Sequence, residues 1–182
     1  WSGYFNILAK SNKVIFLDDA QFSKNSWHNR NQILSNNEKK WITIPLKKSP
    51  INTSINSKRT DNSKEWKSKI INNVNQNYSK CDFYNNLLDL LDYFNNIEDN
   101  RLSEINIKII KFICDRLNIQ TEFILASKLK IEAPRTEKII KILNTLNATK
   151  YLSPIGSKDY LLNDDFKKVD IVFHLAALAD IV

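Results

Sequence analysis

Methionine is absent from all 182 residues, and cysteine occurs only twice, at Cys81 and Cys114. The cysteines lie far apart with no Cys-x-x-Cys spacing and no neighbouring histidine. That pattern excludes the usual zinc-ligand sets and reads as the reduced thiols of a cytosolic protein. No apolar run approaches the ~18 residues of a membrane-crossing helix, and no signal peptide opens the chain. A nucleophile elbow, a His-Glu-x-x-His motif, the Walker spacing and a complete Ser-His-Asp order are all missing, so covalent catalysis has no support in the sequence. A chain that starts on Trp1 without methionine and closes on the apolar residues Ala176–Val182 reads as a piece truncated at both ends.

What is present describes a globular protein. Apolar residues make up 42% of the chain, and its length suits a single domain with a helical segment over residues 63–117. The formal charge is +7 and the pI about 9.3. Such a balance suits an anionic partner, such as a nucleotide. Asn, Ile and Lys recur throughout, however, and lysine scattered among acids is ordinarily a solvated surface. No basic, aromatic-interleaved RNA-recognition module appears, so nucleic acid is not the expected partner.

The apolar run Lys13–Leu17 predicts a buried strand after a short helix within Trp1–Lys10, and Lys40–Leu46 predicts a second strand ending near Pro45. Residues 47–62 read as an exposed connection with a short strand around Ile51–Ile55. Trp66, Ile70, Val74 and Tyr78 recur every four residues behind Ser63, predicting a helix over Lys64–Tyr78 capped by that serine. Helices are expected over Phe83–Asn95 and over Ser103–Leu117, the latter with Ser103 as cap, and over Thr136–Leu146. Strands are expected at Glu122–Ala126, Thr149–Leu152 and Asp170–His174. Alternating strands and helices imply an α/β fold with a parallel or mixed sheet covered by helices.

The polar chemistry concentrates between Phe16 and Ile33, directly after the first predicted strand. Asp18 can bind a hydroxyl or metal, or cap its own turn; Asp19 reads as solvated. Gln21, Lys24, Arg30 and Asn31 supply donors and acceptors for a sugar or nucleotide. Arg30 can fork onto a phosphate or carboxylate, or fix the loop by pairing with Asp18 or Asp19. Trp27 can stack on a ring or, more commonly, plug the loop onto the core. His28 can move a proton, although a lone histidine in a polar loop is usually idle. A second cluster, Tyr151, Ser153, Gly156, Ser157, Lys158 and Tyr160, follows another strand, and its backbone and Lys158 can face an anion. An ordinary Gly/Pro turn is the competing explanation there.

The runs Gly3-Tyr4-Phe5, Val14–Lys24, Trp27, Asn29-Arg30-Asn31, Ile33 and Trp41–Leu46, with Tyr151-Leu152-Ser153, Gly156 and Tyr160-Leu161 downstream, resemble the WbqC-like family. The segments that usually precede and follow these runs in the family are missing here. The resemblance implies a bacterial protein of O-antigen or surface-polysaccharide biosynthesis, and a transferase that moves an aminoacyl group, such as glycyl, to an amino sugar or nucleotide-sugar. It also implies a Rossmann-like, nucleotidyltransferase-like sheet in which Gly3-Tyr4 at a helix start would face phosphate. A nucleotide-sugar or activated amino-acid donor is the expected partner, with Asp18 and His28 the candidates for catalysis and the cofactor left open. The loops after residues 14–17 and 149–152 are expected to share one cleft. Mg²⁺-dependent nucleotidyl transfer and a non-catalytic nucleotide- or RNA-binding module are the alternatives.

Overall fold

The computed structural model describes residues 2–154 and 170–174. It is a mixed α/β protein with α1 (Ser2–Ala9), β1 (Lys13–Phe16), β2 (Arg30–Ser35), β3 (Glu38–Thr43), α2 (Trp66–Tyr78), α3 (Tyr84–Asn95), α4 (Leu102–Arg116), β4 (Glu122–Leu125), α5 (Ala126–Leu129), α6 (Arg135–Thr145), β5 (Lys150–Pro154) and β6 (Asp170–His174). Among the described residues the strands form three two-stranded sheets, β1 with β4, β2 with β3, and β5 with β6. The chain divides into two compact units, residues 18–116 and residues 1–17 with 117–182. The first unit is thus inserted between the two halves of the second.

In the discontinuous unit, β1 and β4 run parallel, with Phe16 opposite Leu125 and Lys13 opposite Glu122. The Phe16 and Phe123 rings stack at 5.5 Å, and the exposed Lys13–Glu122 ion pair at 3.3 Å adds little in high dielectric. α6 starts after Pro134, whose extended backbone stands at the N-cap. It lays Ile139, Ile140 and buried Leu143 against Ala148 and Tyr151. β5 and β6 are parallel and in register from Lys150–Asp170 to Pro154–His174.

The inserted unit carries a helical core. Trp66, Phe94, Ile97 and Ile105 are buried together with Ile44, Ile70, Ile71, Tyr93 and Ile109 packed around them, and Trp66 meets Phe94 edge-on at 5.7 Å. Each such side chain taken out of water contributes on the order of 1.5–3 kcal/mol. Lys67 of α2 donates to the Asn95 and Ile97 carbonyls at the end of α3, where a cation suits the helix dipole.

Four expectations are corrected here. Residues 30–35 form a strand, not loop: β2 pairs antiparallel with β3 from Arg30–Thr43 to Ser35–Glu38. Asn36 and Asn37, both at positive φ (52° and 63°), close the hairpin. Two-residue hairpins need that left-handed geometry, which asparagine tolerates. The chain holds only two glycines, and Gly3, the one among the described residues, is not at positive φ, so asparagine takes these turns. Ser63 does not cap α2; its hydroxyl donates to Asp61 Oδ1 at 2.6 Å, and Glu65 occupies the N-cap position. Ser103 lies inside α4 and is buried. Finally, residues 47–62 are not simply exposed, because Lys58 and Thr60 are buried and Ile55–Ser57 is a 3-10 turn rather than strand.

That connection is held by backbone pairing on three sides. The Asn56 and Ile55 N–H groups donate to Asp18 and Ala20, and Phe22 N–H donates to Thr53. Lys47 N–H donates to Arg59, and Asp61 N–H to Pro45. Thr60 N–H donates to Asn100 and Leu102 N–H to Lys58, at 2.8 and 3.0 Å. Asp99 braces this last junction. Its carboxylate accepts from Arg101 N at 2.9 Å and from the guanidinium at 3.1 and 3.3 Å, with Lys108 at 3.8 Å.

The Arg101 hydrogen bonds hold the Asp99 carboxyl down at about 2, against an ordinary value of 3.8. A depressed carboxyl stabilises the fold above the unfolded value, and that contribution is lost as pH falls through the folded value. Asp99→Asn is therefore expected to cost about 1–2 kcal/mol at neutral pH, discounted for the exposure of Arg101. In denaturant titrations the gap from wild type should persist down to about pH 4 and close toward about pH 2.

Candidate functional site

The segment from Asp18 to Arg30 is fixed at both ends. Asp18 is buried; its carbonyl accepts from Asn56 N at 2.7 Å and its Oδ2 from Asn56 Nδ2 at 3.2 Å. At the other end Asn29 and Ile44 exchange hydrogen bonds, Ile44 N to Asn29 O at 2.7 Å and Asn29 Nδ2 to Ile44 O at 2.9 Å. Between these anchors Asn106 of α4 donates to the His28 carbonyl at 2.8 Å. A polar segment thus stays in one conformation because its backbone groups have partners.

Phe22 and His28 meet inside it, their rings 5.7 Å apart and tilted by 49°. The Lys58 amine lies over the Phe22 ring, 4.7 Å from its centre, and hydrogen-bonds Ser49 Oγ. Lys58 is 8% exposed, yet among the described residues no carboxylate is within ion-pair reach of its amine. Lysine is rarely buried without a partner, and a hydroxyl with an aromatic face compensates it only partly. His28 is half-buried, and its Nδ1 is enclosed with no hydrogen-bond partner among the described residues. Burial lowers its pKa below the ordinary 6.5. The imidazole is consequently neutral at pH 7 and able to accept a proton.

The outer side of the segment is aromatic. Trp27 is not a core plug: it is 61% exposed and rests against Trp41 at 5.1 Å. Arg30 makes no ion pair with Asp18 or Asp19 among the described residues. Its guanidinium lies 4.2 Å above the Trp41 ring and donates to the Asn25 carbonyl. Asn31 turns its Oδ1 onto Gln32 N at 2.8 Å, Gln21 is exposed and donates to the Ile51 carbonyl at 3.1 Å, and Lys24 is exposed.

In the other unit, Gly3 is buried near the start of α1, and Tyr4 is half-buried, edge-on to Phe5 at 5.4 Å. Tyr151 packs against the Leu143 cluster, and Ser153 is fully buried on β5. Lys158 and Tyr160 lie outside the described residues. Two residues that the sequence did not single out, Lys58 and Trp41, complete the arrangement. Trp41 was legible as an aromatic on an alternating strand beside a polar loop. Lys58 carried no signal, since nothing local tells a buried lysine from its exposed neighbours.

The family model of the WbqC-like protein family matches residues 1–181. The chain belongs to the WbqC-like protein family. The uncharacterized protein Rv1507c of Mycobacterium tuberculosis is 26% identical over 173 residues, covering 94% of this chain and 74% of that protein. No solved structure matches the chain. Among the described residues of this WbqC-like chain no group of His, Cys, Asp and Glu is arranged to hold a metal ion, and no helix is long and apolar enough to cross a membrane.

A histidine whose pKa is lowered by folding is protonated more readily in the unfolded chain, so stability falls with pH below about 6.5 and levels off under the folded value. His28→Gln should flatten that slope in urea titrations between about pH 7 and pH 5. A parallel slope in wild type and variant would show that His28 is not the group responsible.

Proposed function

We propose that this WbqC-like chain is a transferase that moves an aminoacyl group, glycyl in the simplest case, from an activated amino-acid donor to the amine of an amino sugar or nucleotide-sugar in bacterial O-antigen or surface-polysaccharide synthesis. The observation that carries the reading is that neutral His28 and the Lys58 amine, which has no carboxylate partner among the described residues, both lie against the Phe22 ring. In acyl transfer the sugar amine attacks the donor carbonyl, its proton passes to a base, and the oxyanion collapses as the donor's leaving group departs. His28 is the base in this reading. Lys58 lies where a cation can stabilise the oxyanion or hold an anionic part of the donor. Asp18, Gln21, Arg30 and Asn31 orient the ligand, and no covalent enzyme intermediate is required. The parallel β1–β4 and β5–β6 pairs support a Rossmann-like, nucleotidyltransferase-like ancestry for the fold. The protein would work in the cytoplasm.

Incubation with nucleotide-linked amino sugars and activated glycine, followed by mass spectrometry, should show the gain of one glycyl unit. His28→Gln is expected to lower kcat by about 100-fold or more with KM little changed. Lys58→Met tests the second group. Replacing a poorly compensated buried amine by an apolar chain of similar length is commonly neutral or stabilising, so Tm should hold while transfer is lost. Transfer by His28→Gln at the wild-type rate, or no transfer across the sugar panel, overturns the reading.

A further inference from the structure

The exposed face of the β2–β3 hairpin carries aromatic and cationic groups that the acyl-transfer step itself does not use. Trp27 and Trp41 are both large, apolar and exposed, at 61% and 42%, and they are held together rather than scattered. Arg30 shares a face of the hairpin with Trp41, since Arg30 is opposite Thr43 and Trp41 lies two residues from it. Its guanidinium is fixed by the ring beneath it and the Asn25 carbonyl, with Nε enclosed.

From Trp41 a groove of about 270 Å³ runs between β3 and α2, walled by Trp41, Pro45 and Ile70 and bordered by Lys64 and Lys69. No carboxylate lines it. Lys64 pairs with the half-buried Asp61 at 3.9 Å, and Lys69 has no acidic partner among the described residues. An aromatic platform opening into an apolar groove edged by cations complements a ligand with a flat ring at one end and negative charge at the other. A neutral sugar would satisfy the rings and leave Arg30 and Lys69 without an anionic partner. A nucleic-acid strand would need stacking platforms repeated along its track, whereas this groove has the volume of a single nucleotide-sized group.

We propose that the Trp27–Trp41–Arg30 platform and the adjoining Lys64–Lys69 groove form the nucleoside-diphosphate subsite, with the base stacked on the exposed tryptophans and the diphosphate between Arg30 and Lys69. The inference rests on the nucleotide-sugar reading of the substrate and assigns its nucleotide half to residues distinct from His28 and Lys58.

Isothermal titration with uridine diphosphate at physiological salt tests it without any transfer assay. Wild type should bind. Trp27→Ala should weaken binding about 5- to 150-fold, the span that loss of one stacked base covers, and Trp27→Phe should restore most of it. Trp27 is exposed, so these variants should keep the wild-type Tm. Lys69→Ala should weaken uridine diphosphate and leave uridine unchanged, and His28→Gln should bind the diphosphate as wild type does. Absence of binding to wild type, equal affinity in Trp27→Ala, or tighter binding of an octathymidylate than of uridine diphosphate overturns the assignment. Loss of acyl transfer with these affinities intact would count against the transferase reading alone.

Discussion

The junction between residues 58–60 and 100–102 is the constraint on which the inserted unit depends. Leu102 and Ile105 are fully buried at the start of α4, and Thr60 is almost so, which places the Lys58 carbonyl and the Thr60 N–H where water cannot serve them. They are satisfied by Leu102 N–H and the Asn100 carbonyl instead. A buried backbone group without a partner costs roughly 1–3 kcal/mol, so this pairing decides where the whole 47–62 connection can lie. Asp99 holds the bend from beneath through both the backbone and the guanidinium of Arg101.

From that junction the positions of the polar groups follow in order. Lys58 is carried inward by its own backbone and covered by Phe22, while Asn56, two residues earlier, anchors Asp18. The segment between Asp18 and Arg30 therefore has an inner side, with His28 and Lys58 about Phe22, and an outer side, with Trp27 and Arg30 about Trp41. On the inner side burial sets the chemistry, leaving His28 neutral. On the outer side exposure sets it, leaving aromatic faces and cations in contact with solvent.

Much of the chain's local order was legible from periodicity. Lys13–Phe16 and Asp170–His174 read as strands because short continuous apolar runs admit little else, and the four-residue repeat from Trp66 to Tyr78 gave α2 within two residues. β2 escaped because Arg-Asn-Gln-Ile-Leu-Ser has a polar first half, and because the hairpin signal was Asn-Asn rather than a glycine-containing pair. Ser63 and Ser103 misled for a shared reason. A serine before an apolar repeat fits a cap equally well whether its hydroxyl turns to the helix, to Asp61, or into the core. For Trp27 a core plug was the favoured of two readings, yet an aromatic partner on the next hairpin strand holds it at the surface.

The sequence by itself determined the family, the alternation of strands and helices, and the concentration of polar chemistry between Asp18 and Asn31, because each is written in adjacent or periodically spaced residues. Only the tertiary structure decided which of those groups are buried and what faces them. Lys58 lies 36 residues from Phe22, and Trp41 stands on the opposite strand from Arg30. Burial and stacking are properties of pairs brought together by long-range packing, and no local pattern encodes them.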